Sequence, residues 1–228
     1  MTFIANRTEK CLVCGQVSKQ KFVASTNTFG GSPDLDFRPP ESERSTMPYW
    51  VQECPHCGYV ANSLSQLIGF VCDRAYLSSS EYNDFQGTPP VAELAIRFVK
   101  KARIATLKKD YIAAFGAYLS AAWASDDEDD EKWQFELRNL ALQAMEKIRE
   151  DQFSDDYRII RVDLLRKTRQ YERLLQEYEH MRFEKNKKDL FNNILQFQVF
   201  LAKYQCSATY TVEEVETILS ALKERGYI

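Results

Sequence analysis

A mainly α-helical protein with a small, cysteine-bearing β segment at its N-terminal end is the fold class the sequence predicts, and three observations predict it. Two Cys-x-x-Cys-Gly clusters, CLVCG at 11–15 and CPHCG at 54–58, bracket a loop-rich stretch. Proline disappears after Pro90. From there on, apolar residues recur at steps of three and four, as on a helix face that meets a core. The expected division is therefore 1–61, a metal-binding head with a long inserted loop; 62–90, a linking helix and loop; and 91–228, a helical domain.

The helices follow in order. The linking helix is expected over Asn62–Leu77, ahead of the loop Ser78–Pro90. Pro90 suits a first helical turn. The first long helix, Val91–Leu107, turns Leu94, Ala95, Phe98, Ala102 and Ala105 inward. Asp110–Ala124 comes next, then Glu131–Arg149 with a stripe of Trp133, Leu137, Leu140, Ala141, Ala144 and Ile148. Helices at Asp155–Lys167 and Arg169–Arg182 lead to Lys187–Tyr204, which is apolar on several faces and is expected to be central. The last helix opens at Thr211, where Thr-Val-Glu-Glu214 reads as a capping box, and stops near Gly226.

Tyr111, Ala114, Tyr118 and Ala121 are spaced by 3, 4 and 3 residues, and Tyr171, Leu174, Tyr178 and Met181 repeat those steps 60 residues later. The same steps mark the second helix of a tetratricopeptide repeat, so a tetratricopeptide-like domain of helical hairpins is expected. The interval exceeds the ~34-residue period of that repeat. The extra helix Glu131–Arg149 accounts for the excess.

At each knuckle a tight turn brings both sulfurs to one side, and a glycine after the second cysteine takes the positive φ that closes it. Two knuckles supply four thiolates, as a closed zinc site requires. Cys11, Cys14, Cys54 and Cys57 are therefore the expected ligands of one metal ion, in a zinc-ribbon-like arrangement. Four protein thiolates leave zinc no open position for water or substrate, so a catalytic metal is disfavoured. Iron is the alternative, because two such knuckles also resemble rubredoxin, an electron carrier. His56 is expected at the surface. Cys72 and Cys206 are expected to behave as small hydrophobes.

Bulk properties narrow the classes further. A net charge of -3 provides no global attraction to nucleic acid or to an anionic membrane. No run approaches the ~20 apolar residues of a membrane span, and Met1–Lys10 lacks the apolar core of a signal peptide. A cytoplasmic location follows as the expectation, in which the cysteines stay reduced. No phosphate loop, dinucleotide fingerprint, H-E-x-x-H or serine-nucleophile motif is present. With His56 and His180 as its two histidines, the chain has a thin acid-base repertoire.

Residues 25–61, STNTFGGSPDLDFRPPESERSTMPYWVQECPHCGYVA, together with CLVCG, resemble a family of bacterial proteins known as domain-of-unknown-function 2225. The resemblance rests on the two knuckles, the run Asp34-Leu-Asp36-Phe37-Arg38-Pro39, and an aromatic strand entering CPHCGY. It implies a zinc-ribbon-like head followed by tetratricopeptide-like helices, and no established activity. Its specific motifs cover residues 11–61.

The spacer of 39 residues between Cys14 and Cys54 is long for a ribbon. Met47–Glu53 is expected to be a strand, with Lys19–Ala24 as its partner. Loops longer than about 12 to 15 residues are usually functional or disordered. Asp34, Asp36, Phe37, Arg38 and Trp50 are thus candidate partner-binding residues; the competing reading ties Asp36 and Arg38 to the helical domain. Six basic residues from Arg97 to Lys109 offer a nucleic-acid surface, opposed by the reading of a solvated helix balanced by the acidic run at 125–131. The expected function is a non-catalytic interaction or adaptor protein holding a protein or peptide. Rubredoxin-like electron transfer, or nucleic-acid binding through the head, are the alternatives.

Overall fold

The computed structural model describes residues 2–66, 72–85, 91–128, 130–184 and 189–227. The fold is mainly α, with a small N-terminal sheet beside a cysteine cluster. The chain forms two compact units, Met1–Asn27 with Ser42–Lys147, and Thr28–Glu41 with Ile148–Ile228. The unit boundary therefore falls after α6 rather than at the composition step near residue 90.

In the first unit, β1 (Phe3–Lys10) pairs antiparallel with β2 (Val17–Ser25), Lys10 opposite Val17, so the first knuckle is the turn of this hairpin. After α1 (Glu41–Arg44), Met47–Tyr49 form a 3-10 turn with Pro48 in its first positions, where a missing N–H costs nothing. The strand expected over Met47–Glu53 is thus confined to β3 (Gln52–Glu53). β3 pairs with β4 (Val60–Ala61), and the second knuckle is the turn between them. Lys19–Ala24 is a strand as expected, but its partner is β1.

The linking helix expected over Asn62–Leu77 is not formed in its described first part: residues 62–66 are irregular, and residues 67–71 lie outside the described residues. Helix begins at α2 (Arg74–Leu77), with Asp73 as N-cap, and recurs at α3 (Ser80–Asn83), capped by Ser79, inside the stretch expected to be loop. Of the rest of that stretch, residues 86–90 lie outside the described residues.

The long helices follow the periodicity closely. α4 (Glu93–Leu107) buries Ala95, Phe98, Ala102 and Ala105 as expected, and leaves Leu94 half-buried. α5 (Tyr111–Asp126) packs against both α4 and α6 (Glu131–Met145), and is accordingly buried almost all round, from Ala114 to Ser125. Its small residues, Ala114, Ala117, Ala121 and Ala122, allow two neighbours to approach. On α6, Leu137, Ala141 and Ala144 are buried, whereas Trp133 and Leu140 are half-buried.

The second unit comprises α7 (Asp155–Lys167), α8 (Tyr171–Tyr178), α9 (Asp189–Lys203) and α10 (Val212–Glu224). α9 touches the other three and buries Ile194, Leu195, Phe197, Val199 and Leu201, as its all-round apolarity predicts. α10 begins with the expected capping box, the Thr211 N–H donating to the Glu214 carboxylate at 2.7 Å. α8 is shorter than expected, so Met181 lies beyond the helix and the second repeat stripe ends at Tyr178.

A backbone repeat underlies the hairpins. α4, α7 and α9 are each followed, two residues after their last helical position, by a residue of positive φ: Lys109 (φ 61), Arg169 (φ 58) and Gln205 (φ 51). The next N–H then closes the helix: Asp110 donates to the Ala105 carbonyl at 3.0 Å, Gln170 to Leu165 at 2.8 Å and Cys206 to Leu201 at 2.9 Å. Each is the left-handed C-terminal stop that releases the chain into a return helix.

Candidate metal centre

The two knuckles have the same backbone design. Gly15 donates to the Cys11 carbonyl at 2.8 Å and Gly58 to Cys54 at 2.9 Å; Cys11 N–H bonds the Gln16 carbonyl and Cys54 N–H that of Tyr59, both at 2.8 Å. Both bond pairs need a left-handed residue after the second cysteine, and Gly15 and Gly58 adopt φ 74 and 72. Backbone N–H groups aim at sulfur: Val13 and Cys14 at Cys11, Gln16 at Cys14, and Tyr59 at Cys57.

This geometry brings the four expected ligands together. Sulfurs at ~2.3 Å from a tetrahedral zinc stand ~3.8 Å apart. Cys11 Sγ lies 3.7 Å from Cys57 Sγ, and Cys14 Sγ lies 3.6 Å from Cys54 Sγ. All four fall within 4.8 Å of one another, and none is in a disulfide. The donor set fits a metal ion of tetrahedral preference. Among the described residues, no other group of three or more Cys, His, Asp or Glu side chains converges in this way.

The thiols differ in acidity. The Gln16 N–H and the neighbouring sulfurs hold Cys14 down to about 7, against some desolvation. Burial pushes Cys11 and Cys57 upward. In the metal-free protein Cys14 is thus more acidic than Cys11 and Cys57, whose burial favours the protonated form.

The centre is not an isolated head. Cys11, Cys54, Tyr59, Leu64, Tyr82 and Ile104 form one buried cluster, so the knuckles and α4 share a core. Tyr82 Oη donates to the Gly58 carbonyl at 2.7 Å, clamping the turn that presents Cys57. Glu53 pairs with Lys100 of α4 at 2.6 Å, and Arg97 donates to the Pro48 carbonyl at 3.3 Å. Without these helices a loop-rich segment of some 60 residues would lack a core of its own, which is why the compact unit runs through α6.

Sequence reasoning missed Glu9. This carboxylate is buried at 1 % exposure. It accepts from Ser63 Oγ and the Ser65 N–H, each at 3.0 Å, and from the Leu64 N–H, and it pairs with Arg7. Burial raises its pKa, but the Ser63, Ser65 and Leu64 hydrogen bonds and the Arg7 charge outweigh that and hold it below the usual carboxylate value. Glu9 thereby ties the strand entering the first knuckle to the chain leaving the second. A polar residue at one strand position carries no periodic signal, so only the fold shows it.

The loop candidates separate. Asp34, Asp36 and Arg38 are buried within the second unit, not displayed. The Arg38 N–H donates to Asp36 Oδ1 at 3.2 Å, Leu35 donates to the Tyr210 carbonyl at 3.1 Å, and Asp34 bridges to Thr211. Phe37 stacks near Phe191, 6.1 Å between ring centres. The run therefore acts as an added strand-like tie at the start of α10, the competing reading of the sequence. Trp50 belongs to the first unit, its Nε1 donating to Thr46 Oγ1 at 2.7 Å.

Other candidates fall into place. His56 is exposed and Cys72 buried, as expected. Three basic residues of α4 are engaged within the unit: Arg97 and Lys100 as above, and Arg103 with the Tyr82 and Asp84 carbonyls, both at 3.0 Å. In the acidic run, Asp126 makes a two-pronged pair with Arg138 at 2.6 and 2.8 Å, and Asp130 caps α6. No helix among the described residues is long and apolar enough to cross a membrane.

Fold and site define a helical protein with a candidate four-thiolate metal centre built into its first unit. Comparison with protein-family models, curated proteins and solved structures finds no match to this chain.

Proposed function

We propose that the chain is a non-catalytic, cytoplasmic interaction protein in which a zinc ion on Cys11, Cys14, Cys54 and Cys57 staples the first unit, and tetratricopeptide-like hairpins hold a protein or peptide partner. The observation that carries the reading is the closed donor set. Four thiols within 4.8 Å of one another, backed by backbone N–H groups, would leave a bound metal no ligand position for substrate, while both knuckles are built into the core. Bound there, zinc would contribute structure, on the order of 10 to 16 kcal/mol in peptide systems. Stacked helical hairpins are a common platform for peptide recognition.

The same donor set accepts iron, which makes rubredoxin-like electron transfer the second reading. Metal analysis and a visible spectrum of the purified protein separate the two. A colourless protein with about one zinc per chain is expected; a red protein that bleaches on reduction would establish iron. For the partner, a displayed peptide library panned against metal-loaded protein is expected to enrich a sequence family that chelated protein does not retain. Failure to enrich any family would remove the adaptor role.

A further inference from the structure

A cavity of about 330 Å³ lies in the first unit between the chain that leaves the second knuckle and the facing sides of α4 and α5. Val60 and Asn62 contribute to one wall, Lys101, Ile104 and Lys108 to another, and Gly116 to the third. At ~30 Å³ per water this is room for about ten waters, and it sits at the lower end of the range for small-molecule sites.

Two features of the lining are unexplained by folding. Lys101 is half-buried and makes no ion pair or hydrogen bond among the described residues. A desolvated ammonium without a counter-charge is unfavourable, and burial alone accordingly draws its pKa down. Lys108 follows two helical turns later on the same face, also drawn down by burial but supported by Asp110. That carboxylate already caps α5, accepting from the Ala113 N–H at 3.1 Å. Two ammonium groups against one carboxylate give the lining a charge of +1, and the nearby N-terminus of α5 adds to the positive potential.

The second feature is Gly116. It lies inside α5, where glycine costs ~1 kcal/mol relative to alanine. Its φ is not left-handed, and a Cβ there would meet nothing within 4 Å. Neither backbone strain nor close packing calls for glycine, and its effect is to keep the floor of the cavity open.

We infer that this cavity binds a small organic monoanion with an apolar body, a carboxylate whose charge meets Lys101 and whose body lies against Ile104 and the bare backbone at Gly116. The site includes none of the four thiols, although Tyr59, whose N–H faces the Cys57 sulfur, also lines it, and it goes beyond the adaptor reading, which neither requires nor excludes it.

Isothermal titration of the metal-loaded full chain with phenylacetate tests it, with phenylethanol and phenethylamine as neutral and cationic counterparts. Saturable one-to-one binding of phenylacetate is expected, at least about ten-fold tighter than either counterpart. Lys101→Met should weaken phenylacetate about ten-fold and leave phenylethanol unchanged. Gly116→Leu, whose side chain enters the open floor, should abolish both. Because Lys101→Met removes an unpaired charge and creates no orphan, it keeps the test decisive if Gly116→Leu folds poorly. No saturation by phenylacetate or hexanoate up to ~10 mM, equal binding of acid and alcohol, or an unaltered Lys101→Met variant would each overturn the proposal.

Discussion

Lys109 and Arg169, 60 residues apart, adopt the same left-handed conformation, φ 61 and φ 58, at the turn between the helices of a hairpin. In both, the residue that follows closes the preceding helix onto a carbonyl five positions earlier. The side-chain stripes at Tyr111 and Tyr171 reflect this shared turn. The turn is the better preserved of the two features, since the second stripe runs out at Tyr178.

A side chain with a Cβ in this region costs ~1 to 2 kcal/mol, and both side chains are exposed. Lys109→Gly and Arg169→Gly should therefore each stabilise the protein by roughly 0.5 to 1 kcal/mol, net of the greater freedom glycine has when unfolded. Urea denaturation of each single variant measures it. Destabilisation in both would show that the turns gain more from their side chains than from backbone geometry.

The thiols make a prediction with a defined direction in pH. Cys14, with its acidity raised to about 7 chiefly by the Gln16 N–H, carries a thiolate in a range where Cys11 and Cys57 are held protonated by burial. In chelated protein near pH 8, iodoacetamide should alkylate Cys14 first among these three, as read by peptide mass spectrometry. A folded-state pKa lowered from 9.0 to about 7 stabilises the metal-free form above pH 9, and that contribution is lost as the pH falls through 7. Metal affinity should fall in the same direction, because each ligand must lose its proton to bind. Faster alkylation of Cys11 or Cys57 would contradict this ordering.

The legibility of this chain in its sequence follows from what each feature repeats. Cys11, Cys14, Cys54 and Cys57 were readable because metal geometry imposes one spacing twice. α4, α7 and α9 were readable because a helix buries a stripe many residues long. Residues 62–66 are irregular where periodicity predicts helix: their polar-apolar order suits one turn, yet Leu64 is spent on the knuckle core and its N–H on Glu9. The strand at Met47 failed on a local rule, Pro48 at the start of a turn. The assignment of Asp34 to Arg38 to the second unit depended on a bridge to Thr211, a pairing across 177 positions that no local pattern encodes.

Glu9 should be a sensitive point of the first unit. Glu9→Ala leaves the Leu64 and Ser65 N–H groups without their acceptor beside the core and strands Arg7. At ~1 to 3 kcal/mol for each unsatisfied buried group, a loss of about 3 kcal/mol is expected. Glu9→Gln, which keeps one acceptor oxygen, should lose less. Because the folded pKa lies below 4.5, the carboxylate's contribution is present above that value and disappears as acid takes the pH down through the folded pKa. The acid limb of a stability profile should thus flatten in Glu9→Gln. An unchanged acid limb would assign the pH response to other carboxylates.

Arg166 and Asp163 pose the opposite case, an ion pair sealed in the second unit. Both side chains have no solvent exposure, with Arg166 Nη2 donating to Asp163 Oδ1 at 2.6 Å. Arg166 also donates to the carbonyls of Cys206 at 3.1 Å and Ala208 at 2.7 Å, and to Gln198 Oε1 at 3.3 Å, so it joins α7 to α9 and to the chain entering α10. Asp163 has no comparable support: its Oδ2 is buried without a hydrogen bond. Arg166→Met should cost ~3 to 5 kcal/mol, since it orphans the carboxylate as well as the two carbonyls. Asp163→Leu should cost less, because three partners of the guanidinium survive. The double variant should be more stable than Arg166→Met alone, since removing the orphaned carboxylate relieves the larger part of the penalty. A urea-denaturation cycle over the four proteins decides it. If the double variant is no better than Arg166→Met, the carbonyls of Cys206 and Ala208, rather than Asp163, are what the buried arginine is there to satisfy.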